Sequence, residues 1–554
     1  MNDQPRRSPR VTEARTSLER MAWPEIPAEM IERLATEGER RSIEAGEILF
    51  DVGAPEYDFI LVERGSVNVV DRVNDRVVLT VVAPNFLGEL GLLMGQGTFL
   101  AGIAAEPSDV IVVPSKTLQR LVATVPEVSD LIVSAFAARR RLLMEWNEGG
   151  FVVVGEIGDP TALALLTYAE RSRIPHRFVC REDEAAMAEI KAVCDVPDGG
   201  TCAIVGRADV IENPTPRTVS AALGLEMMAD HTAVYDLAII GAGPGGLAAA
   251  VYGASEGLKT LVIDDTAIGG QAGTSSRIEN YMGFTTGISG AELAFRGEIQ
   301  AVKFGARLCV PHRAVSLTPT AAGFDIGLDN GGTAMARSIV VAAGVQYRRL
   351  PLERLEDFEG AGIYYAATDL EARFCTDEQV LIIGGGNSAG QAAMFLSRHA
   401  QCTHIAVRGE GLKNTMSSYL TDRICSDSAI RLWTHTEVVA LHGDKRLEGV
   451  TVRNRQTGET EDLPVKALFI MIGAAPNTDW LKDHVELDDK GFIRTGVGLD
   501  PFATSCPGVW AVGDIRAGSV KRVASAVGEG SVVVSSVHTY LENKSREEAR
   551  HAAA

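Results

Sequence analysis

Two short apolar runs in the C-terminal half of the chain end abruptly in glycine. The first run covers residues 237–240 and the second covers 380–383. Runs of this length and composition are typical of buried parallel strands, and the small residues after each run predict a helix. The glycines between strand and helix are Gly241, Gly243 and Gly246 in the first unit and Gly384, Gly385 and Gly386 in the second.

Glycine at these turns indicates a nucleotide site. A tight turn and the close approach of a pyrophosphate leave no room for Cβ, and the helix N-terminus offers N–H donors to the anion. A further apolar run, residues 260–263, ends in Asp264, which stands where the ribose hydroxyls of a dinucleotide would lie. A single glycine-rich turn can be purely structural, but two such turns favour two nucleotides, one held permanently and one exchanged.

The N-terminal third shows a different pattern. Short β-like runs separated by glycines extend from Ile43 to about Pro114, which predicts a small antiparallel barrel or jelly roll. A helical stretch follows from Leu118 to Leu143, and residues 1–20 are polar and rich in arginine, as in a disordered arm.

The pattern changes again near residue 150. It predicts a strand at 151–154, a helix at 161–170, a strand at 176–179, a hairpin of 192–196 with 201–205, and a last helix at 219–225.

Composition and charge restrict the classes of protein. A chain of 554 residues, 46% of them hydrophobic, is expected to form three or four domains. The net charge of −20 argues against a nucleic-acid surface, and the densest basic cluster, residues 139–141, is interpreted as a solvated helix face. No long apolar segment or secretory signal is found, and the eight dispersed cysteines show no metal-site spacing. We therefore expect a cytoplasmic protein without a membrane span or a metal.

The glycine and phenylalanine spacing of the β-rich part, followed by Gly88 and Glu89, resembles the cyclic-nucleotide-binding domain family. In that family the glutamate holds the sugar hydroxyl, and an arginine eight or nine residues later holds the cyclic phosphate. Gly97 and Thr98 stand at the arginine's place. Two interpretations stay open: a cyclic nucleotide effector binds here, or the barrel is a degenerate docking or dimerisation module.

The middle unit resembles a degenerate thioredoxin-like or glutaredoxin-like fold. The catalytic CxxC of such domains follows the first strand, and here residues 155–160 contain no thiol. Cys194 or Cys202 could act as a redox thiol, although a buried inert cysteine is the commoner case.

The remaining motifs together resemble the low-molecular-weight thioredoxin reductase family of flavoproteins. They are Gly269, Gly270 and Gln271; Glu279, Asn280 and Gly283; the second glycine-rich turn; and the late pair Gly513 and Asp514. The resemblance implies a multidomain α/β chain ending in two nested Rossmann-like dinucleotide-binding domains. The implied division is an arm (1–20), an N-terminal β-roll (21–148), the thioredoxin-like domain (149–228), the FAD domain in two parts (233–352 and 472–541), the inserted NAD(P)H domain (353–471) and a polar tail (542–554).

The resemblance also implies the site residues and a homodimer. For FAD they are Gly241, Gly243, Gly246, Asp264, Gln271, Asn280, Gly513, Asp514, Arg522, Val523 and Ala524. For NAD(P)H they are Gly384, Gly386, Asn387, Ser388, Ala389, Arg408 and Lys413. Arg408 and Lys413 favour NADPH over NADH because no acid ends the preceding strand to repel the 2′-phosphate, although Glu410 lies between them.

One departure from that family changes the expected chemistry. Where thioredoxin reductases carry Cys-Ala-Thr-Cys, this chain has Ala366, Ala367, Thr368 and Asp369, and the nearest cysteine is Cys375. Reduction of FAD by NAD(P)H needs no protein thiol, whereas disulfide exchange does. The sequence therefore predicts an FAD-dependent NAD(P)H oxidoreductase that delivers electrons to a ferredoxin, a quinone or another small acceptor, with no catalytic residue outside the flavin. The alternatives are a flavin-based redox-sensing scaffold and thioredoxin-disulfide reduction through non-standard thiols such as Cys202.

Overall fold

The computed structural model describes every residue except 1–5, 8–15, 55–56, 73–74, 147–150, 158, 207–208, 228, 231, 276–277, 279, 360, 366, 368, 414, 445 and 554. Most of the predicted N-terminal arm thus lies outside the described residues. Within that arm Arg6–Arg7 form a short strand, and the first helix begins at Ser17.

The N-terminal domain is a β-roll of two sheets flanked by helices. The strands are β1 (Arg6–Arg7), β2 (Glu39–Ile43), β3 (Ile48–Phe50), β4 (Phe59–Arg64), β5 (Ser66–Asp71), β6 (Arg76–Val82), β7 (Asn85–Leu87), β8 (Ala101–Ala104) and β9 (Ser108–Val113), and the helices are α1 (Ser17–Ala22), α2 (Ala28–Glu37), α3 (Leu90–Met94), α4 (Ser115–Thr124) and α5 (Pro126–Trp146). The sheets run β1-β6-β5-β8-β3 and β2-β9-β4-β7. Three aromatic rings pack together in the core, those of Phe59, Phe86 and Phe136. Because Phe136 belongs to α5, these contacts hold α5 against the roll.

The interpretation of residues 139–141 as a solvated helix face is wrong for two of the three arginines. Arg139 and Arg140 are 8% and 3% exposed, and only Arg141 faces solvent. Arg139 donates to the carbonyl oxygens of Ala22 (2.9 Å) and Phe86 (2.8 Å). The physical reason is that these two arginines bond to distant parts of the chain, Arg139 to the end of α1 and Arg140 to Arg173 of the second domain, which the local sequence does not show.

The second domain is a four-stranded sheet with three helices. Its elements are β10 (Phe151–Gly155), α6 (Pro160–Arg171), β11 (His176–Cys180), α7 (Glu184–Lys191), β12 (Cys202–Val205), β13 (Asp209–Glu212) and α8 (Pro216–Ala222). The strand order is β11-β10-β12-β13, with β10 and β11 parallel and the remaining pairs antiparallel. This topology supports the thioredoxin-like assignment, which stays a prediction.

The predicted hairpin of 192–196 with 201–205 is wrong. The observed hairpin pairs β12 with β13, and residues 192–196 follow α7, a helix that the sequence analysis did not predict. Asp183 caps α7 by accepting from the Ala186 N–H at 3.0 Å. A short apolar run after a capped polar helix was mistaken for a strand, since run length alone does not distinguish the two.

The third domain contains the first glycine-rich turn, and its assignment as a two-part FAD domain stays a prediction. Its elements are β14 (Val234–Tyr235), β15 (Leu237–Ile240), α9 (Pro244–Ser255), β16 (Thr260–Ile263), a 3₁₀ turn (Ala272–Thr274), α10 (Gly290–Lys303), β17 (Arg307–Cys309), β18 (Ala314–Pro319), β19 (Phe324–Leu328), β20 (Thr333–Ala336), β21 (Ile339–Val341) and β22 (Val345–Tyr347). The parallel sheet runs β17-β16-β15-β21.

The fourth domain is inserted after β22. Its elements are α11 (Leu355–Phe358), β23 (Ile363–Tyr364), α12 (Asp369–Phe374), β24 (Gln379–Ile383), α13 (Asn387–Leu396), β25 (Cys402–Ala406), α14 (Ser418–Ser426), β26 (Ile430–Trp433), β27 (Thr436–His442), β28 (Gly449–Asn454), β29 (Thr460–Leu463) and β30 (Ala467–Ile470). Its parallel sheet runs β23-β30-β24-β25-β26.

The chain then returns to the third domain. Strand β31 (Ala474–Pro476) pairs with β22, and β32 (Val509–Ala511) adds to β21 at the edge of the first parallel sheet. Helix α15 (Val523–Ala553) packs along α9, and it includes the predicted polar tail except Ala554. The backbones at Gly245 and Gly530 meet so closely that a Cβ on Gly530 would lie 2.1 Å from the Gly245 carbonyl oxygen.

Candidate functional site

The first glycine-rich turn has no space for side chains. Gly241 has φ +108°, and a Cβ there would lie 2.4 Å from the Ala342 carbonyl oxygen. A Cβ on Gly246 would lie 1.8 Å from the Gly241 carbonyl oxygen. Gly243 is the N-cap of α9 and provides no side-chain acceptor, so the first backbone N–H groups of α9 stay available to an anion. These features fit the diphosphate of a dinucleotide.

Asp264 stabilises this turn. Its Oδ2 accepts from the Ala242 N–H at 2.7 Å, and its Oδ1 accepts from the Thr266 and Ala267 N–H groups at 3.1 and 3.2 Å. Burial, together with the charge of Asp265, raises the pKa of Asp264 to about 6. The carboxylate thus joins the end of β16 to the glycine-rich turn. Its contact with a ribose stays a prediction.

The loop after β16 folds back onto the same turn. Gly270 approaches the N-cap so closely that a Cβ on it would lie 3.0 Å from the Gly243 Cα. Gln271 precedes the 3₁₀ turn and, like Asn280, is exposed. Gly290, at the start of α10, packs against this turn, since a Cβ there would lie 1.6 Å from the Ala272 carbonyl oxygen. The placement of Gln271 and Asn280 beside a flavin stays a prediction.

The late Gly-Asp pair is fixed by a residue that the sequence analysis missed. Glu529 of α15 accepts from the Gly513 N–H at 2.6 Å and forms an ion pair with Arg516 at 2.6 Å. Asp514 is half-buried, and burial raises its pKa. Arg522, Val523 and Ala524 lie at the start of α15, which packs on α9, so the structure brings the two sequence-distant parts of the predicted FAD site together. Glu529 carries no motif by which it could have been found.

The second glycine-rich turn repeats the geometry of the first. Gly384 has φ +142°, and a Cβ on it would lie 2.2 Å from the Met471 carbonyl oxygen. Gly386 is the N-cap of α13 without a side-chain acceptor, while Asn387 and Ser388 are exposed at the helix start and Ala389 is buried. The Asn387 Oδ1 accepts from the Ser417 N–H at 2.8 Å.

Arg408 and Lys413 follow the adjacent parallel strand β25 and are both exposed. Because β24 and β25 run parallel, these cations lie at the same edge of the sheet as the second turn, where a 2′-phosphate would be reached. Glu410 is exposed in the same loop.

The cysteines do not form a thiol pair beside either turn within the described part of the chain. All eight cysteines are free. Ala366 lies outside the described residues, and Asp369 begins α12. Cys375 is fully buried, and burial raises the pKa of its thiol to about 12. Burial likewise raises the pKa of Cys194 and Cys202 in the second domain.

Gly88 and Glu89, the residues predicted to hold a cyclic nucleotide, make contacts with other residues of this chain. Glu89 is 8% exposed; its Oε1 accepts from the Gly91 N–H at 2.8 Å, and its Oε2 accepts from the Arg140 Nε at 2.8 Å. Gly88 packs against Phe136.

The place of the missing phosphate arginine is also covered. The Gly97 N–H donates to the Gly224 carbonyl oxygen at 2.9 Å, and the buried Thr98 hydroxyl donates to the Leu100 carbonyl oxygen at 2.8 Å. The segment after α8 therefore lies over residue 97.

The described residues contain neither a candidate metal site nor a single membrane-spanning helix. No cluster of three or more His, Cys, Asp or Glu side chains able to hold a metal is found among them. No single helix in the part of the chain that is described is long and apolar enough to cross a membrane. Helices α4 and α5, which meet at an angle of 117°, are together long and apolar enough by length and composition alone.

Comparison with known proteins identifies two family matches. Residues 235–530 match the pyridine nucleotide-disulphide oxidoreductase family, and residues 40–125 match the cyclic nucleotide-binding domain. A thioredoxin reductase of Streptomyces clavuligerus is 34% identical over 310 residues, which are 56% of this chain and 94% of that protein. An NADPH-dependent thioredoxin reductase 3 of Arabidopsis thaliana is 33% identical over 315 residues, 56% of this chain and 58% of that protein.

Solved structures give a similar result. The thioredoxin reductase of T. acidophilum is 30% identical, with a TM-score of 0.52, over 56% of this chain and 99% of that one. The thioredoxin reductase of Lactococcus lactis is 27% identical with a TM-score of 0.53, over the same shares.

Proposed function

The chain belongs to the pyridine nucleotide-disulphide oxidoreductase family, and from that premise we propose an FAD-dependent oxidoreductase that takes electrons from NADPH and delivers them without a thiol pair of its own. Members related to thioredoxin reductase use FAD and NADPH. The observation that carries the proposal is the conjunction of two fitting glycine-rich turns with Ala366 and Asp369 at the places of the family's cysteines.

The residues of the chain have binding and orienting roles in this function. The first turn and α9 hold the diphosphate of FAD, and Gln271, Asn280 and Asp514 lie beside its flavin and ribityl parts. The second turn, with Arg408 and Lys413, holds NADPH. When bound, FAD supplies the redox chemistry, because it accepts two electrons from NADPH and releases them to an acceptor.

The acceptor is a ferredoxin, a quinone or another small oxidant. Disulfide exchange requires a thiolate within reach, and the burial of Cys375 and Cys202 disfavours thiolate formation at both. The eight free cysteines support a reducing compartment, so we place the protein in the cytoplasm. The homodimer is proposed from the family resemblance alone.

The N-terminal domains are proposed to couple to the flavin site. Arg140 binds Glu89 and donates to the Arg173 carbonyl oxygen at 3.2 Å; Arg173 in turn binds Glu292 of α10 at 3.0 Å. Helix α10 packs against the loop of Gln271. Two ion pairs, linked through the backbone of Arg173, thus join the β-roll to the helix beside the proposed FAD site.

We further propose that the β-roll acts as an internal docking module rather than a receptor. The engagement of Glu89 by Arg140 supports this interpretation. Isothermal titration with cyclic AMP and cyclic GMP tests it: silence at millimolar ligand is expected, and saturable heat would instead identify a cyclic nucleotide effector.

Anaerobic titration tests the main proposal. The purified protein is expected to be yellow and to be bleached by NADPH faster than by NADH, and then reoxidised by ferredoxin or quinone. A thioredoxin disulfide should not reoxidise it. Turnover no faster than leakage to oxygen across the acceptor panel would favour the redox-sensing scaffold, and reoxidation by thioredoxin would favour reduction through non-standard thiols.

A further inference from the structure

Arg171, the last residue of α6 in the thioredoxin-like domain, extends to the FAD domain. Its Nη2 lies 3.5 Å from the Gly270 carbonyl oxygen, the outer limit of a hydrogen bond. Its Nε is shielded from solvent and has no hydrogen-bond partner among the described residues. An arginine side chain has five N–H donors, so this guanidinium has unused donor capacity.

The surroundings of Arg171 consist of the two parts of the first nucleotide cradle. Gly270 packs on Gly243, the N-cap of α9. The positive charge of Arg171 also acts on Asp264, where it opposes the effect of burial on the carboxyl pKa. Arg171 also lines, with Ile268 and Glu298 among others, a small cavity at the junction of three domains.

We propose that Arg171 is an FAD-binding residue contributed by the thioredoxin-like domain, and that its guanidinium pairs with the diphosphate of the cofactor. This inference rests on the proposed function. An under-satisfied guanidinium beside a helix N-terminus adds a full positive charge to the partial charge of the helix, and arginine binds phosphate oxygens in a bidentate manner.

The proposal gives a role to the thioredoxin-like domain, which lacks a CxxC after its first strand. The matched relative from Streptomyces clavuligerus covers 56% of this chain and is itself matched over 94% of its length, so it has no counterpart of the thioredoxin-like domain in the alignment. If Arg171 contacts FAD, cofactor binding and the docking of this domain are linked, and each stabilises the other.

The test compares Arg171→Gln with a matched control, Arg217→Gln. Arg217 also belongs to the thioredoxin-like domain and also contacts the FAD domain, through Asp329 at 2.6 Å, but it lies away from the glycine-rich turn. FAD-free full-length protein is titrated with FAD, followed by flavin fluorescence, and with ADP by calorimetry, at low and high salt.

The expected result is a loss of FAD and ADP affinity of about 10- to 100-fold in Arg171→Gln, little change in Arg217→Gln, and partial recovery in Arg171→Lys. The salt dependence of the FAD affinity should be weaker in Arg171→Gln than in the wild type, since one charge pair is removed. Unchanged affinity in Arg171→Gln, or an equal loss in both variants, overturns the proposal. Failure of the wild type to bind FAD at all would instead refute the proposed function.

Discussion

Replacement of Gly246 by alanine tests whether steric exclusion at the first turn is required for the cofactor. A Cβ at this position would lie 1.8 Å from the Gly241 carbonyl oxygen, whereas real Cβ atoms keep about 3 Å from such a neighbour. Helix α9 or the turn must therefore shift by more than 1 Å. Alanine is the better helix former by about 1 kcal/mol, so propensity and sterics act in opposite directions.

The expected magnitude follows from the hydrogen bonds that the shift removes. A displacement of more than 1 Å takes the first N–H groups of α9 out of hydrogen-bond range of a diphosphate. Hydrogen bonds to charged groups contribute about 1.5–3 kcal/mol each, so loss of two lowers FAD affinity by at least about a hundredfold. Overpacking adds about 1–3 kcal/mol of destabilisation to the domain.

Gly528→Ala is the matched control, because Gly528 is also helical and a Cβ there meets nothing within 4 Å. This variant gains propensity without a clash and should raise the melting temperature by about 2–4 °C. The assay is the ratio of flavin to protein absorbance after gel filtration, with thermal unfolding in parallel. Full flavin content and unchanged stability in Gly246→Ala would refute the steric argument.

Four further outcomes are expected. Arg139→Met should destabilise the β-roll by about 3 kcal/mol, measured by denaturant titration, because buried carbonyl groups lose their donor. Burial raises the pKa of Glu298 from 4.5 to about 7, so between these pH values the folded protein retains a proton that the unfolded chain releases. The melting temperature should therefore fall as the pH rises from 4.5 to 7, and Glu298→Gln should reduce this dependence of melting temperature on pH. Glu529→Gln should lower flavin content more than it lowers secondary structure, measured by circular dichroism, because it weakens the support of the Gly513 turn. In native protein a chromogenic thiol reagent should modify exposed Cys425 first, and reduction by anaerobic NADPH should not increase the number of reactive thiols. Two additional thiols after reduction would contradict the proposal that electrons leave FAD without a thiol pair.

What the sequence could predict is local. The turns at 241–246 and 384–389 were predictable because strand, glycine and helix follow one another within a few residues, so their geometry depends on nearby backbone alone. The burial of Arg139 and Arg140 was not predictable, since it depends on α1 and on a domain whose first strand begins eleven residues after Arg140. Glu529 acts on Gly513 across sixteen residues and two different elements. The wrong prediction of the 192–196 hairpin also reflects distant contacts, because the packing of the whole sheet, and not the length of an apolar run, determines that β12 pairs with β13.

The two N-terminal domains share a feature that bears on how they act. In each, the residues at the place of the predicted ligand or dithiol make contacts within the chain: Glu89 with Arg140, Gly97 with Gly224, and Asp159 with the Thr201 hydroxyl at 2.7 Å. A cyclic nucleotide would have to break the buried Glu89–Arg140 pair, which costs about 3–5 kcal/mol. That cost lowers the apparent affinity of a cyclic nucleotide by more than a hundredfold. Arg140 also donates, through its Nη1, to the carbonyl oxygen of Arg173, whose side chain pairs with Glu292. Under the proposed coupling, a ligand that displaced Arg140 from Glu89 would therefore also affect α10, beside the flavin loop.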